Sequence, residues 1–221
     1  MKIIVCIKQV PDTTEVKLDP KTGRLIRDGV PSIINPDDKN ALEEALRIKD
    51  ENPDTTVTVV SMGPPQADVA MREALAMGAD EAILISGREF GGSDTWATSY
   101  IIATAIKKIP DYDIIFCGRQ AIDGDTAQVG PQIAEQLNIP QITYVQKLDI
   151  EGDKVIVQRQ LEDGYTVVEA KMPVLLTAIK ELNTPRYMTP KGIFEAYNKT
   201  VQVWGFNDVP VDAEKIGLKG S

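Results

Sequence analysis

The chain has 221 residues, 43% of them hydrophobic, and a formal net charge of -9. That length supports one sizeable core with at most a small appendage, and the acidic balance excludes the basic surface that nucleic acid or anionic lipid requires. With no histidine and only two cysteines, Cys6 and Cys117, Cys/His metal clusters, Ser-His-Asp triads and Cys-His pairs are excluded, so neither a metal site nor ordinary hydrolytic catalysis is expected.

Residues 2–8 (KIIVCIK) read as a first strand with no charged n-region and apolar leader ahead of it, and no apolar run reaches membrane-spanning length. A cytoplasmic protein without direct membrane insertion is expected. Residues 16–26 read as a hairpin around the turn DPKTG. Asn35, Pro36, Asp37 and Asp38 then open a helix over 36–52, with Asn35 as its expected N-cap. Strands are predicted at 55–60 and 81–85 and helices at 66–77 and 95–109, the last preceded by the glycine-rich loop Gly91-Gly92-Ser93-Asp94.

Residues 112–117 form a buried strand that runs into GRQAIDGDTAQVGPQIAEQL (118–137), a turn followed by an amphipathic helix. Strand, glycine-bearing turn and helix N-terminus in that order offer free N–H groups and a positive dipole end to a phosphate. The turn is neither a Walker loop nor a G-x-G-x-x-G fingerprint. On composition alone, Asp123 and Asp125 could cap the helix and repel an anion; alternatively, the amides of 124–126, Thr126 and Gln128 could hold phosphate, with Arg119 compensating charge. Gly91 to Thr95 leaves a similar choice between a second phosphate site and a cap by Ser93 or Asp94. Both cysteines end strands, where small buried side chains are common.

Four strand-like segments follow at 142–150, 154–161, 166–170 and 174–179, read as antiparallel or mixed. From residue 205 the periodicity fades, so 1–204 reads as one nucleotide-binding α/β domain and 205–221 as a linker or partner-bound arm. The fold class is a doubly wound, mostly parallel α/β sheet, Rossmann-like, with a C-terminal antiparallel region. In such sheets ligands collect beyond the carboxyl ends of the strands where the winding reverses. That rule brings together 6–13, 35–38, 62–63, 91–95 and 118–129.

Taken together, KQVPDT (8–13), INPDDKNALEEAL (34–46), EALAMGADEAILI (73–85), the 118–137 motif and LNTPRY (182–187) resemble the small, or beta, subunit of electron transfer flavoproteins over nearly the whole chain. The resemblance implies a heterodimer with an alpha subunit of related fold, a redox-active FAD in a mobile region of the complex, and a second nucleotide in the beta subunit. That nucleotide is AMP in ordinary members, which pass electrons between dehydrogenases and a quinone reductase. In electron-bifurcating members it is FAD, reduced by NADH. Contacts are carried onto Cys6, Asn35, Pro36, Asp37, Asp38 and Met62, and onto the whole turn: Gly118, Arg119, Gln120, Ala121, Ile122, Asp123, Gly124, Asp125, Thr126, Ala127, Gln128 and Val129.

VPDT (10–13), GGSDTWAT (91–98) and DGDTAQVGP (123–131) resemble the bifurcating or nitrogen-fixation-associated branch, which favours FAD, with AMP as the alternative. Pro11, Asp12, Thr13, Gly91, Gly92, Asp94 and Thr95 are then the expected neighbours of flavin and nicotinamide, the two glycines leaving room for a ring. The cofactor carries the redox chemistry, so no catalytic side chain is expected. Residues 178–192 match the family's partner-recognition loop, placing Leu182, Pro185, Arg186, Tyr187 and Pro190 there; the alternative is a plain surface connection. Pro190 stands where some members anchor an acyl-CoA dehydrogenase through a leucine, which puts that partner in doubt and leaves a quinone-reducing flavoprotein open. Ferredoxin or flavodoxin is the implied low-potential acceptor, and peripheral membrane contact would come through partners. The resemblance also implies a longer C-terminal arm than the one ending at Ser221, so a truncated arm is expected.

Overall fold

The computed structural model describes residues 1–12 and 31–221; the hairpin expected at 16–26 and Thr13 lie outside the described residues. In chain order the elements are β1 (Lys2–Cys6), β2 (Gln9–Pro11), β3 (Ser32–Ile34), α1 (Pro36–Glu51), β4 (Thr56–Met62), α2 (Asp68–Met77), β5 (Glu81–Ile85), α3 (Thr95–Ile106), β6 (Ile114–Gly118) and α4 (Val129–Leu137). Then follow β7 (Gln141–Glu151), β8 (Lys154–Leu161), β9 (Gly164–Lys171), β10 (Val174–Ala178), α5 (Pro190–Asn198), β11 (Val201–Trp204) and α6 (Gly217–Gly220).

Nine strands form one sheet in the order β11-β5-β4-β1-β6-β10-β7-β8-β9, and β2 and β3 pair separately. From β11 to β7 every pairing is parallel, and β7, β8 and β9 are antiparallel. The sheet is therefore doubly wound and mostly parallel. The chain runs outward from β1 through β4 to β5, then returns to lay β6 on the other side of β1, so the winding reverses between β1 and β6.

Side-chain alternation along β1 feeds two cores. Ile3 and Val5 join Leu42 and Leu46 of α1, Met71 of α2 and Ala196 of α5 on one face. Ile4 and Cys6 join Ile101 of α3 and Ile133 of α4 on the other. With helices on both faces, β1, β6 and β10 are near-continuous apolar runs. Strands β7 and β8, with one face in solvent, alternate. Burying each Leu or Ile contributes roughly 1.5–3 kcal/mol, so α1, with Leu42, Leu46 and Ile48 inside, is held mainly by packing.

The short strands β2 and β3 and the helix α6 were not expected from the sequence, nor were α5 and β11. Helix α5 docks on α2 where Arg72 caps the Ala196 carbonyl (3.1 Å) and lies over the Tyr197 ring (5.2 Å). Strand β11 extends the parallel edge beside β5. Residues 205–221 also place Val209 and Ile216 in the second core, although the composition of that stretch is poor in apolar residues. Among the described residues no helix is long and apolar enough to cross a membrane.

Candidate functional site

A cavity of about 1110 Å³ opens beyond the carboxyl ends of β1, β4, β5 and β6, at the reversal point. Its floor is Cys6, Met62, Cys117 and Gly118; one wall is Arg119 to Ala121, Gly124 and Thr126 to Gly130, and the facing rim is Ser86 to Thr95 without Glu89. Among these are most of the expected residues: Cys6, Asp38, Met62, Gly91, Gly92, Asp94, Thr95, Gly118, Arg119, Gln120, Ala121, Gly124, Thr126, Ala127, Gln128 and Val129. Asn35, Pro36, Asp37, Ile122, Asp123, Asp125, Pro11 and Asp12 do not line the cavity. Cys6 and Cys117 are buried free thiols, and hydrogen bonding with Cys6, then burial, pushes the Cys117 thiol up.

Asp38, in the first turn of α1, ties the floor together. Its Oδ2 accepts from the Lys8 amide (2.7 Å) and its Oδ1 from the Gly118 amide (3.0 Å), joining the ends of β1 and β6. Burial pushes its carboxyl up to about 7, against the donors from Asn35, Lys8 and Gly118 that favour the charged form. Asp37 is raised by burial too, with Arg119 opposing; Arg119 Nε lies 3.3 Å from Asp37 Oδ2.

Asn35 occupies the N-cap position of α1, but its side chain does not cap that helix. It donates instead to Gln120 O (2.8 Å) and accepts from the Ile122 amide (3.0 Å), anchoring the 119–128 loop from 0% exposure. A buried amide satisfied by another segment's backbone is a positioning device, and its tertiary partners are invisible in sequence.

The two aspartates weighed as helix caps do not cap α4, which begins only at Val129 with Gln128 as N-cap and no side-chain bond to its free amides. Asp123 turns aside to Lys8 Nζ (2.6 Å), and Asp125 accepts from the Gln120 side chain. The loop achieves this with left-handed backbone at Asp125 (φ 54°) and Ala127 (φ 53°), a conformation unfavourable for non-glycine residues and common where a site dictates the backbone. The first amides of α4 therefore lack an intrahelical acceptor, and Val129 and Gly130 line the cavity. Pro131, in the same first turn, removes a donor that the helix would leave unpaired. Helix α3 differs: Asp94 Oδ1 accepts from the Ala97 amide (2.8 Å), so a carboxylate already fills its end. Of these two helix ends, that of α4 is the one whose first amides stay open toward the cavity.

Sequence reasoning missed Arg88, an exposed residue on the rim. With Lys8 and Arg119 it is one of three cations lining the cavity; the signal was its place just ahead of the glycine pair. Gly92 borders the cavity. With φ 83° it occupies left-handed space, and a Cβ there would meet Leu218 at 2.7 Å, so its missing side chain makes room for Leu218.

At the far end of α1, Arg186 makes a forked pair with Glu43 (2.9 and 3.1 Å) and a bond to Asp50 (2.7 Å), while Asn183 Nδ2 donates to Asn40 O (3.0 Å) and Glu44 Oε2 (2.8 Å). Leu182 is buried, Pro185 half-buried, and Pro190 exposed at the start of α5. Thus Leu182 and Arg186 fasten the segment, leaving Tyr187 (95%), Phe194 (76%) and Tyr197 (71%) exposed together with Met188.

The model of the electron transfer flavoprotein domain matches residues 22–209. The chain is 67% identical over its whole length to an electron transfer flavoprotein subunit beta of Thermoanaerobacterium thermosaccharolyticum, covering 85% of that protein. It is 60% identical to the caffeyl-CoA reductase-Etf complex subunit CarD of Acetobacterium woodii (100% of the chain, 84% of the relative). Identity to protein FixA of Azotobacter vinelandii is 46% (100% and 81%).

Proposed function

The chain belongs to the electron transfer flavoprotein family as a beta subunit, and on that premise we propose that it holds FAD in the cleft at the β1/β6 reversal and takes electrons from NADH for flavin-based electron bifurcation. The observation that carries this reading is the uncapped N-terminus of α4 opening into a cavity of about 1110 Å³ that continues to the glycine rim. Ligand pockets usually span about 300–1,000 Å³; this one exceeds what a mononucleotide fills. Similarity to CarD and FixA points the same way.

The residues present fit a dinucleotide. The amides of Val129 and Gly130, with Thr126 and Gln128 beside them, would hold phosphate, and Lys8, Arg88 and Arg119 would supply positive charge. Asn35 and Asp38 hold the loop and floor in place for that contact. Gly91 to Thr95 borders the part of the cavity left for the ring and for nicotinamide. When bound, FAD supplies hydride acceptance from NADH and its division into single electrons, one to a high-potential acceptor through the flavin of the alpha subunit and one to ferredoxin or flavodoxin. The protein contributes position and exclusion of water. An acyl-CoA dehydrogenase or a quinone-reducing flavoprotein would dock on the exposed apolar group of Tyr187, Met188, Phe194 and Tyr197, which is rich in the aromatic anchors typical of interfaces.

Denaturing extraction of the purified complex, with mass-spectrometric counting of nucleotides, tests the proposal. Two FAD and no AMP per heterodimer are expected; one FAD with one AMP would make this chain the structural partner in a single-flavin carrier.

A further inference from the structure

The glycine rim has the cavity on one side and residues 216–221 on the other. Ile216 is 3% exposed and shares the second core with Phe90. The Gly217 amide donates to Ser93 Oγ (2.9 Å), which itself donates to Phe90 O (2.8 Å). The Asp94 amide donates to Ser221 Oγ (2.8 Å), whose own proton is directed to Gly217 O (2.8 Å) with Gly92 O at 3.2 Å. The contact is close enough to demand glycine on both sides: a Cβ on Gly92 meets Leu218 at 2.7 Å, and one on Gly217 (φ 61°) meets Glu89 O at 2.6 Å.

We infer that Ile216 to Ser221 is an outer brace that positions the Gly91–Asp94 rim, and that Ser221 and Leu218 thereby set the affinity for the part of a dinucleotide beyond its adenylate. Two adjacent glycines make a loop with wide conformational freedom, and a rim that must be ordered by its ligand binds that ligand less tightly than one ordered beforehand. The brace supplies the order from outside the cavity, through residues that do not line it. The 119–128 loop and the floor have their own anchors in Asn35 and Asp38, none of them on residues 216–221. The inference rests on the dinucleotide reading of the site.

The experiment titrates FAD and AMP into the nucleotide-depleted alpha–beta complex by equilibrium dialysis, reading the beta site as the FAD that AMP displaces. Ser221→Ala is expected to weaken FAD by about three- to tenfold, the scale of one lost hydrogen bond, while AMP affinity and the unfolding midpoint stay unchanged. Ser221→Thr, which keeps the hydroxyl, should restore FAD affinity. Leu218→Gly should relieve part of the loss caused by Gly92→Ala, because it removes the atoms that the new Cβ meets. Unchanged FAD affinity in Ser221→Ala, or equal weakening of FAD and AMP, would overturn the brace alone. An unsubstituted complex that takes up AMP but no displaceable FAD would overturn the site reading beneath it.

Discussion

The two ends of the parallel strands use the same fastening under opposite conditions. At the amino ends, Asp113 accepts from the Lys2 amide (2.8 Å) and Asp80 from the Val57 amide (2.9 Å), with Lys49 Nζ 2.6 Å from Asp80 and both aspartates half in solvent. At the carboxyl ends Asp38 performs the same service from 7% exposure, and among the described residues it makes no salt bridge. A wet, charge-paired carboxylate leaves an end tolerant of change; a buried one makes its end sensitive to volume and to protons. The void at the amino ends is about 260 Å³, against about 1110 Å³ at the carboxyl ends. The larger space lies on the side where a ligand would enter.

The largest expected effect is Gly118→Ala. Its Cβ would fall on the Asp38 carboxylate and within 2.6 Å of the Asp38 amide, backbone that cannot yield without moving α1. A loss above about 4 kcal/mol is expected in denaturant titration; a mild effect would show that the carboxyl ends are as tolerant as the amino ends. Next comes Asp38→Asn, which keeps one acceptor, puts an amide group against a main-chain donor, and should destabilise by about 1–3 kcal/mol. Because the Asp38 carboxyl titrates at about 7 when folded against its ordinary 3.8, the folded chain keeps a proton that the unfolded chain has released between those values. The stability from this group is therefore greatest at low pH and falls as pH rises toward 7. The difference between wild type and Asp38→Asn should be larger at pH 5 than at pH 8, and a flat difference would contradict the burial argument. Asp113→Asn, by contrast, should stay near about 0.5–1.5 kcal/mol.

Asn35→Ala removes both Asn35 bonds to the 119–128 loop and should weaken nucleotide binding by about tenfold, with roughly 1–2 kcal/mol of stability lost. Isothermal titration of the complex separates the two effects. The smallest change in stability is expected far from either strand end. Phe194→Ser should alter stability by no more than about 0.5 kcal/mol while reducing reductase-coupled electron transfer, and full coupling in that variant would move the docking face elsewhere.

Much of the strand and helix order was legible because burial on both faces leaves long apolar runs and burial on one face leaves a period. β5 and β8 fall where their patterns put them, and the antiparallel turn residues announce β7 to β9. The predicted convergence at the reversal point follows from topology, which is why Cys6, Met62, Gly118 and the glycine loop can be grouped from the order of strands and helices alone. Helix α5 was hidden because Gly192, four exposed aromatic or charged positions and a single buried alanine give no continuous apolar face. The late start of α4 was hidden because Asp123 and Asp125 have good capping chemistry, and only Lys8 and Gln120, brought in by the fold, draw them away.

Periodicity, glycine placement and charge balance thus determined by themselves the α/β class, the winding and the edge at which a ligand would sit, since these follow from side-chain spacing and the handedness of strand crossovers. Only the tertiary structure decided what each polar residue does there. Asn35 serves a loop 85 positions away instead of its own helix, Gly92 yields space to Leu218, and Asp38 fastens two strands from a site dry enough to raise its carboxyl. Each role depends on which groups remain after water has been excluded, and packing sets that at distances along the chain that no local pattern records.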